Sequence, residues 1–535
     1  MRSLAILFAA AVLLSGSMAA AQRSITNTET VHALGALGTR VVACTEGGLD
    51  LFDAGTGRFL RTLHVEDGLP SHFCRALERV GDELYVATDG GVIALAEDLS
   101  IRQVLPVAWH GLPRASEDAS PSAYEALLRR WAGALDGKTT WTAFSARHAG
   151  TADGRVYVDG TALVRTGPGA VRWLDDSGEV LHIGSSEGRF TSTAAGLVER
   201  PSPEGPLHFT EDGAALGGND GRTAQLDVNG SVFFGTANAG VHFEARGRIR
   251  RITPGGQLCG NHVTAIATWR GRRVVGTFDR GLCWESNGKW TRVRAPALPS
   301  DQVYDLAADG DRLFVATAYG LGYFDGSKWV QIAYGGRNPI GLRKLSVLAV
   351  ETLKEGVAVV DGSGVSIVSR GKKLELLRRI DAPTGWARHM SVATVTDDAV
   401  WLASEDRGIA RFDGQRWRRH HDGRDLTDNW VTAISADEEG RAIVGSCLTG
   451  FAYFDGAAWT RIPAAAGLQS PMVTAVALTS GGAWVGTLAG AARFDAATGS
   501  LVALTGLADP RVYAIHQTGT DLWFGTEGGV TVARP

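Results

Sequence analysis

A turn of about five residues that carries a Thr or Ser recurs along this chain at a spacing of about 41. From Thr236 onward, the steps between successive copies are 41, 40, 44, 43, 42, 41 and 39 residues. A period of that size indicates repeats that each form one supersecondary unit, which cannot bury its own faces and must stack on its neighbours. The hydroxyl, or the Asp that replaces it once, falls at Thr45, Thr88, Ser185, Thr236, Thr277, Thr317, Asp361, Ser404, Ser446, Thr487 and Thr526.

Each repeat contains four short runs with strand character. The clearest copy has an apolar alternation from Val431 to Ile434, a polar turn, and a second apolar run that begins at Ala442. A third run ends at Phe454, where an Asp-Gly pair leads into Trp459 and a fourth run. An Asp-Gly pair between alternating runs is among the strongest short-range hairpin signals. One repeat is therefore predicted to be a four-stranded antiparallel meander, which is the blade of a β-propeller.

The number of repeats predicts more than one ring of blades. Residues 261–535 hold seven regular copies, whereas residues 22–260 hold a less regular set with a predicted inserted helix near 123–137 and an irregular stretch at 200–222. The predicted fold class is all-β, a propeller of about twelve four-stranded antiparallel blades. Single rings ordinarily have about four to eight blades, so two rings of about five to six and seven blades are favoured. One large ring is the alternative.

A Phe-Asp-Gly turn followed by Trp occurs three times, ending at Trp329, Trp417 and Trp459. We interpret these segments as type I′ turns followed by a Trp that packs between blades. If these side chains belong to the core, replacing one by Ala should cost about 3–5 kcal/mol.

The last repeat lacks its fourth strand. It stops after the third run, from Val530 to Ala533. The segment from Gln22 to Glu29 precedes the first strand of the first repeat and could supply the missing strand. Such an exchange would tie the chain ends together and remove a free sheet edge.

The amino terminus predicts export. Residues 1–21 contain Arg2, an apolar core from Leu4 to Leu14, and the small residues Ala19 and Ala21 before Gln22. This pattern is typical of a secretory signal peptide that is cleaved after Ala21. The apolar run is too short for a membrane span. We expect a periplasmic or extracellular protein without a membrane-spanning segment.

Export permits disulfides, and four of the five cysteines offer two pairs. Cys44 and Cys74 could meet across neighbouring blades, and Cys259 and Cys283 fall within one repeat. The alternative for each is a buried reduced thiol that acts as a small apolar filler. Cys447 is left over, and no paired spacing suggests a metal site, so no metal is expected.

Charge and composition exclude one class of partner. The formal net charge is −4 and no basic stripe runs along the chain, so a nucleic-acid partner is not expected. The sequence contains no recognisable cofactor-binding motif, and no cofactor is expected.

The repeats resemble the two-component regulator propeller repeats of bacterial periplasmic sensor domains. The matching segments are the Asp-Gly-Leu-Pro-Ser loop at Asp67–Ser71, the strand Val431–Ile434, the Trp-Val-Gly-Thr run that begins at Trp484, the copy at Trp523–Val530, and the three Phe-Asp-Gly-x-x-Trp turns. The resemblance implies a ligand-binding propeller. In that family a membrane span and a kinase or regulator usually follow, whereas here the chain ends at Pro535. A free-standing binding or scaffold propeller without a kinase is expected.

In propellers, the turns between the second and third strands and the connections between blades share one face around the central channel. Polar and aromatic residues at these turns suit recognition of a carbohydrate, peptide or protein. The alternative is that they simply occupy exposed turns. The candidate ligand-binding residues are Glu46, Asp89, Asp279, Arg280, Tyr319, Asp406, Arg407, His420, His421, Trp430 and Glu527.

The favoured function is that of a secreted, non-enzymatic propeller that binds a glycan or an envelope or secreted protein. The alternative is a propeller enzyme that acts on polysaccharide, as a lyase or a glycoside hydrolase. An enzyme of this kind needs two carboxylates, or a Tyr, His and Arg group, that converge at the channel mouth. The available acids are Glu46, Asp89, Asp406 and Glu527, and no catalytic set is assigned.

Overall fold

The computed structural model describes residues 21–106 and 222–534, apart from short gaps at 81, 89, 229, 237–238, 247, 334–337, 372 and 388, together with short strands between 146 and 217. Residues 1–20, the predicted helix near 123–137 and most of the stretch at 200–222 lie outside the described residues. The described residues are all-β, with ten four-stranded antiparallel sheets. Two single-turn 3-10 helices, Val65–Asp67 and Ala464–Ala466, are the helical elements among them.

Seven of these sheets follow one another between Val263 and Arg534, and we number them blades I to VII. Blade I comprises β21 (Val263–Trp269), β22 (Arg272–Thr277), β23 (Leu282–Ser286) and β24 (Lys289–Val293). Blade II comprises β25 (Val303–Asp309), β26 (Arg312–Thr317), β27 (Gly320–Phe324) and β28 (Trp329–Ile332). Blade III comprises β29 (Val347–Thr352), β30 (Val357–Asp361), β31 (Gly364–Val368) and β32 (Leu376–Asp381).

The remaining blades repeat this order. Blade IV comprises β33 (Met390–Val395), β34 (Val400–Ser404), β35 (Ile409–Phe412) and β36 (Trp417–His420). Blade V comprises β37 (Val431–Ala436), β38 (Ala442–Ser446), β39 (Gly450–Phe454) and β40 (Trp459–Pro463). Blade VI comprises β41 (Val473–Thr479), β42 (Gly482–Thr487), β43 (Gly490–Asp495) and β44 (Leu501–Leu504). Blade VII comprises β45 (Val512–Thr518), β46 (Asp521–Thr526), β47 (Gly529–Arg534) and β1 (Ala21–Ile25).

Blades I to VII form a closed ring. The first strand of each blade contacts the first strand of the next, and β45 of blade VII contacts β21 of blade I. A single large ring would instead place blade I beside the last sheet of the amino-terminal part. The predicted fold class, an all-β propeller of four-stranded antiparallel blades, is confirmed, and this cycle excludes the single large ring. We call these seven blades the carboxyl ring.

The amino terminus closes the carboxyl ring. Strand β1 pairs antiparallel with β47 as the outer strand of blade VII, with Gln22 opposite Ala533 and Ile25 opposite Val530. Ile25 also packs on the core between blades VII and I. The exchange that the sequence leaves open is present in the structure, and strands from the two terminal regions of the described chain share one sheet.

Three further four-stranded sheets precede residue 252. They are β2 (Val31–Leu37), β3 (Arg40–Thr45), β4 (Gly48–Asp53) and β5 (Phe59–Leu63); β6 (Cys74–Val80), β7 (Glu83–Thr88), β8 (Gly91–Leu95) and β9 (Ile101–Pro106); and β17 (Arg222–Val228), β18 (Ser231–Thr236), β19 (Val241–Ala245) and β20 (Arg248–Arg251). Strand β2 contacts both β6 and β17, so the first and the last of these sheets are neighbours. We call this part the amino ring after the ring predicted from the sequence; the blades that would close its cycle fall largely outside the described residues.

Shorter strands lie between these sheets in the sequence. They are β10 (Ala146–Ala152), β11 (Arg155–Gly160), β12 (Val180–Leu181), β13 (Phe190–Thr193), β14 (Gly196–Glu199), β15 (Leu207–Phe209) and β16 (Ala215–Gly217). Much of the intervening chain lies outside the described residues, so the total of about twelve blades and the domain boundaries stay predictions.

The hydrophobic core lies between adjacent blades. Each cluster joins two neighbours: Trp401 of blade IV, for example, packs with Val444 and Phe454 of blade V. Trp459 is only half-buried and packs at the edge of the same cluster. The three Trp residues that follow the Phe-Asp-Gly turns therefore cover inter-blade seams from outside, which is less burial than predicted.

The Phe-Asp-Gly turns also differ from the predicted two-residue type I′ turn. Four residues separate β39 from β40, and the Asp455 carboxylate accepts bonds from the backbone N–H groups of Ala457 and Ala458 at 2.8 and 2.7 Å. Asp325 and Asp413 make the same contacts in their own turns. The Asp side chain therefore organises a longer, Asp-capped turn.

Two linkers join the rings and bond to each other. The Asn27 N–H donates to the Asn261 side chain at 2.7 Å, and the Asn261 side-chain amide donates back to the Asn27 carbonyl at 2.8 Å. Between them, the buried Glu29 accepts from Arg251 of the amino ring and Arg292 of the carboxyl ring, both at 2.6 Å. Burial opposes the charge on Glu29, but the two guanidinium groups hold its pKa below the ordinary value.

Candidate functional site

The recurring hydroxyl serves the hairpin in which it lies. In blade I the Thr277 side chain donates to the Gly281 carbonyl at 2.8 Å and accepts from the Arg280 N–H at 3.0 Å. Gly281 has φ of +75°, and a Cβ there would lie 2.3 Å from the Val293 carbonyl oxygen. The same bond to a Gly carbonyl is made by Thr45, Thr236, Thr317, Ser404, Ser446, Thr487 and Thr526. The repeated part of the turn is therefore structural.

Asp361 fills the hydroxyl position in blade III with a charge. Its buried carboxylate accepts from the Ser363 N–H at 2.8 Å and the Arg343 N–H at 2.7 Å. Arg379 donates to it at 2.7 Å. Burial alone would raise the pKa of Asp361, but these donors hold it below its ordinary value. A paired carboxylate thus replaces the hydroxyl as the organiser of this turn.

The residue after the hydroxyl marks the channel mouth. Its N–H bonds to the carbonyl of the residue just before the first strand of the same blade, as from Phe278 to His262 and from Cys447 to Trp430, both at 2.9 Å. These paired positions encircle the channel on one face of the carboxyl ring, which we call the loop face.

One edge of the loop face meets the amino ring around a small cavity. The cavity has a volume of about 190 Å³ and includes residues of both rings in its wall. Four of the predicted binding residues lie together here, although they are distant in sequence. The wall includes Glu46 and Phe73 of the amino ring with His262, Asp279, Arg280 and Glu527 of the carboxyl ring.

The charges in the cavity are paired. Burial alone would raise the pKa of Glu46, but its contact with His32 at 3.6 Å and the nearby Arg280 lower it below the ordinary value. Glu527 accepts from Tyr513 at 3.1 Å and pairs with Arg511 at 3.0 Å. Burial, together with the Glu527 charge, raises the pKa of Tyr513.

His262 occupies the centre of this edge. Its ring lies 5.0 Å from Phe278 and 4.8 Å from Tyr513. Burial lowers the pKa of His262, so the neutral imidazole is favoured at neutral pH. A neutral His, a Tyr, two Arg side chains and three carboxylates are therefore gathered at one edge of the channel mouth.

The other predicted residues lie away from this cavity. Asp406 pairs with His389 at 3.2 Å and with Arg407 at 3.5 Å in blade IV. His420 bonds to Asp425 at 2.8 Å. His421 bonds to the Asp422 carbonyl at 2.7 Å, so the two His side chains take separate partners. Asp89 lies outside the described residues, as do the predicted helix near 123–137 and most of the irregular stretch at 200–222.

Exposed apolar side chains are concentrated on the loop face. Seven large hydrophobic residues are exposed in the described part of the chain, and five of them lie on turns of this face. They are Phe278 at 41%, Tyr319 at 53%, Leu345 at 47%, Trp430 at 45% and Leu448 at 62% exposure. Leu376 and Leu377, the other two, lie on the outer strand of blade III. We call Tyr319, Leu345, Trp430 and Leu448 the apolar arc.

Both cysteine pairs proposed from the sequence are joined in the structure. Cys44 bonds to Cys74 across two sheets of the amino ring, with Cα atoms 5.2 Å apart, and Cys259 bonds to Cys283 beside blade I, with Cα atoms 5.7 Å apart. Cys447 is a free thiol and is buried, and burial raises its pKa. Among the described residues, no group of three or more metal-ligating side chains is assembled.

Sequence reasoning missed several residues of the loop face. His262, Tyr513 and Arg511 were overlooked because they lie at or next to the start of an inner strand, where alternation predicts channel-facing or buried positions. Leu345 and Leu448 were overlooked because polar residues are the expected occupants of binding turns. The positional rule of the paired channel-mouth residues, applied to every repeat, would have found His262 and Arg511.

Comparison with known proteins supports the fold. No family model and no curated protein matches the chain. Among solved structures, the chain is similar to PorZ, described as an essential bacterial surface component of the type-IX secretion system of Porphyromonas gingivalis, with a TM-score of 0.60 and 11% identity over 96% of this chain and 87% of that one. The extracellular domain of a putative hybrid two-component system of B. thetaiotaomicron aligns with a TM-score of 0.44 and 14% identity over 94% and 68%. At these identities the likeness shows the fold alone.

The first of these proteins is described as a surface component and the second as an extracellular domain. In the described part of this chain, no helix has the length and apolar character needed to cross a membrane.

Proposed function

We propose that this protein is an exported, non-enzymatic β-propeller module that binds an envelope protein or a glycan through the loop face of its carboxyl ring. The observation that carries the proposal is that, of the seven large hydrophobic side chains exposed in the described part of the chain, five lie on turns of this face. Soluble proteins rarely expose grouped apolar side chains with a polar surround unless the surface binds something. The predicted signal peptide supports a role outside the cytoplasm.

The proposal is tested by removing the apolar arc. A variant with Tyr319, Leu345, Trp430 and Leu448 all changed to Ser is compared with a matched control, Leu376→Ser with Leu377→Ser, which removes equally exposed residues from the outer strand of blade III. Each purified protein is cross-linked to envelope fractions of its natural host, and bound material is quantified. We expect the arc variant to lose most of its captured material while the control keeps it.

Equal capture by the wild-type protein and the arc variant would refute the proposed binding face. Circular dichroism and thermal unfolding of each variant establish that the ring is intact. Because all six substituted side chains are exposed, none of these changes removes core packing.

A second candidate function rests on the cavity between the rings. His262, Tyr513 and Arg511, with the carboxylates Glu46 and Glu527, form the kind of group that a polysaccharide lyase or glycoside hydrolase requires. A neutral His beside a Tyr could exchange a proton with a sugar ring. This candidate is tested by incubating the protein with a polysaccharide panel and following ultraviolet absorbance and reducing-end release. Turnover that is lost in His262→Ala and Tyr513→Phe would favour the enzyme; absence of turnover would leave the binding module.

A further inference from the structure

The connection from blade IV to blade V is a self-contained loop. Asp422 and Asn429 close it through two hydrogen bonds, at 2.9 Å to the Asp422 N–H and 2.7 Å to its carboxylate. The N–H groups of Asp425 and Leu426 both donate to the His421 carbonyl at 3.1 Å. Leu426 is buried beneath the loop. These contacts define the conformation of residues 421–430 without help from any ligand.

Trp430 is the last residue of this loop, and both its backbone N–H and its backbone carbonyl are hydrogen-bonded. Its N–H donates to the Asp428 carboxylate at 3.1 Å, and its carbonyl accepts from the Cys447 N–H at 2.9 Å. Nearly half of the side chain is nevertheless exposed. Leu448, which follows Cys447 directly, is the most exposed large hydrophobic residue in the described part of the chain. An ordered backbone that presents a Trp and a Leu to solvent has already lost much of the entropy that binding would otherwise remove.

The geometry points to Trp430 and Leu448 as the anchor of a docking surface for a polypeptide partner, which packs an aromatic or aliphatic side chain of an extended segment against them. This inference rests on the proposed binding function and names the class of partner. Trp is enriched among the residues that contribute most to protein interfaces, and such residues are typically surrounded by polar ones. Here the surround is supplied by exposed His421, Asp422 and Arg424.

A polypeptide fits this surface better than a sugar does. Sugars stack on flat aromatic faces, and Trp430 and Tyr319 offer such faces. Leu345 and Leu448 are equally exposed, however, and an aliphatic side chain gives a sugar no face on which to stack. Aliphatic contacts beside an aromatic ring suit the apolar side chains of a protein.

The surface also continues an interface that the chain already makes. The same loop face binds the amino ring at blades VII and I, where Phe278 lies beside the cavity residues Asp279 and Arg280. On the same face, the apolar arc consists of Tyr319 in blade II, Leu345 before blade III, and Trp430 and Leu448 at blade V. A partner docked on Trp430 and Leu448 would therefore extend a protein–protein contact surface that exists within the molecule.

The test uses the full mature chain with defined probes. A library of linear peptides displayed on phage is selected on the immobilised protein, and the Kd of enriched peptides is measured by titration. Variants are Trp430→Ala, Leu448→Ala, the conservative Trp430→Phe, and the control Leu376→Ala with Leu377→Ala. We expect enriched peptides to share an aromatic or aliphatic anchor, to bind at least about tenfold more weakly to each Ala variant, and to recover part of that loss with Trp430→Phe. The control should bind as the wild type does.

The possible contrary outcomes distinguish failure of this inference from failure of the proposed binding function. Failure to enrich peptides, or enriched peptides that bind Trp430→Ala as well as wild type, would overturn the inference. Binding on a glycan array that is lost in Trp430→Ala would assign the surface to sugar, which overturns the polypeptide partner and keeps the proposed function. A dimer seen in sedimentation and abolished by Trp430→Ala would assign it to a second copy. Only failure of peptides, glycans and envelope fractions together would refute the binding function itself.

Discussion

The two sides of the loop face are built on the same hairpins and differ in the residues that come after the hydroxyl. On the junction side, blades VII and I present charged and aromatic residues that are paired with each other and covered by the amino ring. On the open side, Tyr319 of blade II and Trp430 and Leu448 at blade V are exposed to solvent. Polar groups can be matched within the chain, whereas exposed apolar groups gain only when something else covers them. The junction side is therefore an interface formed within the chain, whereas the open side is a surface that gains stability only when a partner covers it.

The largest expected effect concerns the ion pairs that hold the junction. Glu29→Ala leaves the partly buried Arg251 and Arg292 without their shared counter-charge, so the free energy of unfolding should fall by about 3–5 kcal/mol. Urea unfolding followed by Trp fluorescence measures it. The control Glu355→Ala removes the partner of Arg378 at an exposed edge and should cost at most about 1 kcal/mol. Equal losses of unfolding free energy in the two variants would mean that the ion pairs of Glu29 stabilise the protein no more than an exposed surface pair does.

Acid should weaken the junction side first. His72 is fully buried, accepts from the Val65 N–H at 3.0 Å and contacts the Gly528 carbonyl of blade VII at 3.3 Å. Burial, with a smaller contribution from nearby His64, lowers its pKa to about 3, against opposing effects of Glu66 and Asp509. The unfolded chain binds this proton near the ordinary pKa of about 6.5, so stability is present above that pH and is lost as the pH falls from about 6.5 towards 3.

The measurement is a series of urea unfolding curves between neutral pH and about pH 4, within the window set by the two pKa values. His72→Gln keeps a hydrogen-bonding side chain without the titration and should flatten this pH dependence, while exposed His421→Gln should leave it unchanged. The same slope in all three proteins would show that His72 is not the source.

Raising the pH should lower the stability of the inner strands of blades II and III, where Glu351 and Asp305 are neighbours. Burial raises the pKa of Glu351 to about 8, with a further contribution from the neighbouring Asp305. Because the folded pKa lies above the unfolded one, the stabilisation is complete below about pH 4.5 and is lost as the pH rises through about 8. Glu351→Gln should therefore be more stable than wild type at about pH 9, by about 1–2 kcal/mol because the side chain keeps some contact with solvent. Thermal unfolding at about pH 5 and about pH 9 tests this, with exposed Glu375→Gln as the control; a wild-type profile in Glu351→Gln would contradict it.

The smallest expected effect is on stability at the open side itself. Trp430→Ala should change the free energy of unfolding by no more than about 0.5 kcal/mol, since the side chain covers little of the core. Trp459→Ala in the same blade opens the seam around Trp401 and should cost about 1–3 kcal/mol. Paired urea titrations compare them. A large loss in Trp430→Ala would place that side chain in the fold and remove the reason to regard it as a binding residue.

Much of the fold could be predicted because it depends on local chemistry. The hydroxyl of Thr277 and the carboxylate of Asp455 bond within their own turns, so their spacing reports blade architecture directly. The exchange of strand β1 followed from the missing run after Ala533. The turn type of the Phe-Asp-Gly segments was wrong because an Asp-Gly pair is compatible with both a two-residue and a four-residue turn, and side-chain capping decides between them.

The candidate site could be predicted only in part. Turn position was enough to nominate Glu46, Asp279, Arg280 and Glu527, but it could not show that they share a cavity, because two separate rings must meet to form it. It equally nominated Asp406 and Arg407, which pair with each other elsewhere. No local sequence pattern identifies Leu448 as a binding residue, because the exposure of a leucine in a turn depends on which other parts of the molecule cover it.

The sequence by itself determined the repeating unit, the hairpin chemistry and the propeller class, because period and turn residues act within a few residues of each other. The tertiary structure decided how the seven blades close into a ring, which blades contact the amino ring, and which turns of the loop face are buried or exposed. Those outcomes depend on contacts between residues hundreds of positions apart, such as Asn27 with Asn261 and His72 with Gly528, and no local pattern encodes them.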